Sequence, residues 1–100
     1  MRIEILYFEG CPNAAPAFAR VREVVRTLGL EAEIREIVVE GEADALRQRF
    51  LGSPSVRVDG VDIEPAARGR TDYTMNCRLY EAGVEIPRGL LEGALVGDRS

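Results

Sequence analysis

The chain has 100 residues, enough for one domain spanning 1–100 around a single modest core. Its 46% hydrophobic and 30% charged residues exclude a disordered composition, and a formal net charge of −4 without a basic stripe argues against nucleic acid or an anionic membrane as partner. The absence of His excludes Ser-His-Asp triads, Cys-His dyads and His-based metal sites, leaving thiols, carboxylates, Tyr, Arg and backbone amides for any chemistry.

Residues 2–8 place Ile3, Ile5 and Tyr7 on one side and Leu6 and Phe8 on the other, predicting a strand covered on both faces. Charge interrupts this start, so it reads as a strand and not a leader, and no apolar run nears the roughly 20 residues of a membrane span. The expected compartment is therefore cytoplasmic. Gly10-Cys11-Pro12-Asn13 breaks the strand, and Pro12 suits a first helical position. Phe18, Val21, Val25 and Leu28 then follow helical spacing to a Gly29 cap. Residues 32–39 predict a second strand whose apolar pattern slips between Ile34 and Ile37. Residues 42–51 predict a short helix with Ala43, Leu46 and Phe50 on one face, ended by Gly52. Val56 and Val58, Asp59-Gly60, then Val61 and Ile63 predict a two-residue hairpin closed by Pro65. Residues 65–86 show no clear element, and Pro87 opens a last helix with Leu90, Leu91, Ala94 and Leu95 apolar. The order is β-α-β-α-β-β-α, an α/β class with one mixed four-stranded sheet and flanking helices.

Cys11 sits in the loop at the carboxyl edge of the first strand, where open α/β sheets bind ligands. The free amides and dipole of a helix start favour a thiolate there. A buried, inert Cys is the alternative. The element order, Cys11-Pro12 at the helix start and Ser53-Pro54 before the third strand together resemble the thioredoxin superfamily, over nearly the whole chain. That resemblance implies a cis Pro54 beside Cys11, with Ser53 offering backbone groups to a bound peptide or thiol. Pro12, Asn13, Ser53, Pro54 and Arg78 are the substrate-contacting residues it suggests. The family's Cys-x-x-Cys is incomplete, because Ala14 stands where the second cysteine would be. Cys11 then acts alone, as in monothiol glutaredoxin-like proteins, or with Cys77, 66 positions on.

Leu6–Asn13, Gly69–Tyr73 and Cys77–Tyr80 further resemble small bacterial thioredoxin-like proteins, some labelled as kin of alkylmercury lyases. Organomercurial lyases join two cysteines to an Asp at the metal, and Cys11, Cys77 and Asp72 are the matching residue types here. Cys77 is either the partner thiol or a core residue beside Leu79. Arg70, Asp72, Tyr73, Arg78 and Tyr80 share its loop, as thiolate-stabilising groups or as a solvated, salt-bridged surface. Three functions are consistent with the sequence. The first is a thiol-disulfide oxidoreductase-like protein without cofactor, acting on a protein or small-molecule thiol or disulfide. The second is a soft-metal or mercurial binder using Cys11 and Cys77. The third is a redox-inert scaffold.

Overall fold

Alternation along the first strand sets the layers. In the computed structural model, which describes residues 1–80 and 83–96, β1 (Arg2–Tyr7) sends Ile3 and Ile5 to one face and Leu6 to the other. The first face meets α1 (Ala14–Thr27) and α3 (Arg88–Val96) through Val21, Val24, Val25, Leu91 and Leu95. The second meets α2 (Glu42–Gln48) and the segment after it, through Ala45 and Phe50. β2 (Glu33–Val38) pairs with β1 in parallel. β3 (Ser55–Val58) pairs antiparallel with β1, and β4 (Val61–Asp62) antiparallel with β3. The sheet order is β2-β1-β3-β4, a mixed four-stranded sheet. A short 3-10 turn, Pro65–Ala67, precedes the loop.

The apparent slip in the second strand is a change of face. Ile34 packs toward the α1 side, where Glu36 also pairs with Arg22, while Ile37 and Val39 pack toward α2. Both faces are covered, so apolar residues are needed on both. The hairpin turns on Asp59 and Gly60, both at positive φ, as a two-residue primed turn requires.

Two helix boundaries differ from expectation. Pro12 lies outside α1, which starts at Ala14 with Asn13 as its N-cap. Pro16 instead occupies the first turn, where a missing N–H costs nothing. The second helix stops at Gln48, well before Gly52. Arg49 takes the left-handed conformation, its N–H donates to Leu46 O and the Phe50 N–H to Ala45 O. This is a Schellman cap with arginine in place of glycine. The early stop rotates the expected face: Ala45 is buried while Ala43 and Leu46 are exposed. Of the stretch 65–86, positions 81–82 lie outside the described residues, as do 97–100.

Candidate functional site

The turn after β1 is closed by its own backbone. The Cys11 N–H donates to Phe8 O (3.3 Å) and the Ala14 N–H to Cys11 O (3.2 Å), with Gly10 at φ +86°. Cys11 is therefore held beside the start of α1 and is only 8% exposed. The helix end facing it has fewer donors than the sequence suggests. Ala14 has already given its N–H to Cys11 O, and Pro16 has none. The amides of Asn13 and Ala15 are the first-turn groups left for a sulfur or a substrate atom. Pro12 is exposed, and Asn13 lines a cleft of about 330 Å³ with Arg20, Val84 and Glu85.

Ser53 joins this turn to the distant loop. Its Oγ accepts the Phe8 N–H (3.4 Å), and the Ser53-Pro54 peptide is cis, as the resemblance implies. On its other side Ser53 forms a parallel bridge with Cys77. The Ser53 N–H donates to Asn76 O (3.0 Å), and the Arg78 N–H donates to Ser53 O (2.9 Å). The Thr74 N–H also donates to Phe50 O (2.9 Å), so the segment 74–78 lies along 50–53. The main-chain groups that Ser53 was expected to offer a ligand are thus engaged by the chain itself. Bridge partners project their side chains to the same face of the ladder. Cys77 and Leu79 are both exposed, which overturns the reading of Cys77 as a core residue.

Gly52 permits this docking. A Cβ there would stand 3.0 Å from Arg78 Cβ and 3.1 Å from Asn76 O, at a φ of +120°.

Arg78 differs most from expectation. Its side chain is 1% exposed and faces no solvent. The guanidinium donates to both Asp62 oxygens (2.8 Å each), to Glu64 Oε1 (3.1 Å) and to Ser55 Oγ (2.9 Å), and lies 4.6 Å from the Tyr80 ring centre. Burial opposes its charge, but the Asp62 hydrogen bonds and the neighbouring charges outweigh that and hold it above the ordinary arginine value. Burial likewise pushes the Tyr80 phenol above its usual range, although Arg78 pulls it down. The Tyr80 hydroxyl donates to Pro54 O (2.7 Å). Arg78 and Tyr80 therefore clamp the Cys77 segment to β4 and to Pro54. The carboxylates of this clamp, Asp62 and Glu64, escaped sequence reading. Their one trace is the alternation Asp62-Ile63-Glu64 after the hairpin.

Arg70 and Asp72 form an exposed ion pair with each other. Among the described residues no three His, Cys, Asp or Glu side chains gather as a metal cluster, and no helix is long and apolar enough to cross a membrane. Compared with known families, curated proteins and solved structures, the chain matches no family model, no curated protein and no solved structure.

Proposed function

We propose that the chain is a thioredoxin-like protein, and that within this class it acts as a thiol-disulfide oxidoreductase whose working pair is Cys11 and Cys77. The observation that carries the reading is the Ser53-Cys77 bridge. Ser53 contacts the Cys11 turn through Phe8 and the Cys77 segment through its own main chain. In this reading the two thiols share one site, with Cys11 in the turn before α1 and Cys77 on the segment docked along Ser53.

In the proposed exchange the Cys11 thiolate attacks one sulfur of a substrate disulfide. The other half leaves as a thiolate and takes up a proton. Cys77 then loses its proton and attacks the Cys11 sulfur, releasing the first half as a thiol. Two electrons pass from the protein pair to the substrate, and a Cys11-Cys77 disulfide remains. Asn13 and Ala15 supply amides to the attacking thiolate.

Intact-mass analysis with thiol alkylation, before and after reduction, tests the pair. Oxidation by a small aromatic disulfide is expected to give a monomer that has lost two hydrogens and resists alkylation. Cys77→Ser should accumulate the mixed disulfide on Cys11. Oxidation that yields only intermolecular disulfides, or a Cys77→Ser protein that forms no mixed disulfide on Cys11, overturns the reading.

A further inference from the structure

A second cleft, of about 350 Å³, opens beside β3 and β4, and its lining includes Arg49, Arg57, Arg68, Arg70 and Tyr73. Four guanidiniums around one cavity are unexpected in a chain whose formal net charge is −4. The cleft contains one carboxylate, Asp62, which is already engaged by Arg78 through both oxygens.

Among the described residues, Arg57 and Arg68 are held by main-chain carbonyls and not by carboxylates. Arg57 is half-buried and donates through Nη2 to Gln48 O (2.6 Å) and Arg49 O (2.8 Å), the terminal carbonyls of α2. It makes no ion pair among the described residues, although Glu4 faces it across the sheet. Burial presses its charged form below the ordinary arginine value, and the charges of Asp62 and Glu4 offset this in part. Arg68 is held through Nε on Asp62 O (2.8 Å), which leaves its two terminal nitrogens free among the described residues. Arg49 makes no side-chain hydrogen bond among the described residues. Arg70 is shared with the exposed Asp72. A desolvated cation without a carboxylate partner is costly, and planar guanidiniums bind oxyanions through paired hydrogen bonds.

We propose that this cleft binds a small oxyanionic ligand, one that presents a phosphate group or paired carboxylates to Arg49, Arg57 and Arg68. The volume is at the lower end of small-molecule sites, which favours a metabolite-sized anion over a polymer. The site does not depend on the thiols reacting.

The full chain is titrated with inorganic phosphate and, separately, citrate, at constant ionic strength, with amide chemical shifts as the readout. Saturable shifts confined to residues around Arg49, Arg57 and Arg68 are expected for at least one probe, and the stronger probe identifies the preferred group. Arg49→Gly removes a guanidinium while keeping a backbone that glycine adopts freely, and Arg68→Gln alters an exposed residue. Each should weaken that binding by about tenfold. Shifts that grow linearly without saturation, as chloride controls do, overturn the proposal. So does unchanged affinity in a folded Arg49→Gly protein.

Discussion

At Gly52 a side chain would meet Arg78 Cβ and the backbone of residues 76 and 78, not a flexible tip. Gly52→Ala is expected to cost about 1–3 kcal/mol, from the positive φ and the contact with residues 76 and 78 together. A urea midpoint measured against the parent chain checks this, and an unchanged midpoint would show that the Cys77 segment yields freely. Arg78 is the opposite kind of residue, held through both terminal nitrogens by Asp62, Glu64 and Ser55, with only its Nε lacking a partner among the described residues. Arg78→Met leaves Asp62 and Glu64 facing each other without a cation, so a loss of about 3 kcal/mol is expected. A loss under about 1 kcal/mol in thermal unfolding would contradict the clamp. The two thiols differ in access: Cys77 is exposed and Cys11 buried. A bulky maleimide should therefore modify Cys77 first in the native reduced protein, and the difference should vanish in denaturant. Mass mapping of partly labelled protein reads the order directly.

The helices show why some features were legible in the sequence and others were not. Both α1 and α2 end in the same Schellman geometry. At α1 the left-handed position is Gly29, with Leu30 N–H bonded to Val25 O, and glycine announces such a cap. At α2 it is Arg49, which carries no such signal, so the sequence alone points on to Gly52 and to Ala43 and Leu46, which are exposed. The hairpin at Asp59-Gly60 and the sequence of elements along the chain were readable because local turn chemistry and periodicity specify them. The pairing of Ser53 with Cys77, and the four arginines around one cleft, depend on chain segments far apart in sequence. No local pattern encodes them. The start of α2 has its own acid sensitivity. Asp44 accepts the Glu40 N–H (2.9 Å) and contacts Gln48 and Arg47. The Glu40 hydrogen bond is the largest influence holding its carboxyl below the ordinary value, with burial acting against it. A depressed carboxylate stabilises the fold above its unfolded pKa of about 3.9, and that contribution is lost as pH falls through the lower folded value. Asp44→Asn should accordingly be less stable than the parent at neutral pH, with the gap closing in acid. Urea midpoints at several pH values test the sign, and a gap that widens in acid would refute it.

On the scale of the whole molecule, the sheet is short at one side. β4 spans only Val61–Asp62, so it covers β3 at Arg57 and Val58, with Ile63 N–H adding a bond to Val56 O. The main chain from Phe50 to Ser53 is covered instead by residues 74–78. That coverage is anchored by the Tyr80 hydroxyl on Pro54 O and by Arg78, whose charge is tied to the carboxylates of the hairpin. An uncovered strand edge is a template for another chain. Loss of the buried ion cluster is therefore expected to promote self-association as well as unfolding. Its loss would leave donors and acceptors along 50–53 open to the same segment of a neighbouring molecule. Arg78→Met protein, kept below its unfolding temperature, is expected to form concentration-dependent oligomers by light scattering under reducing conditions. Exchange of residues 74–78 between two chains would restore each edge with the sequence already built to cover it, making a swapped dimer the natural first product.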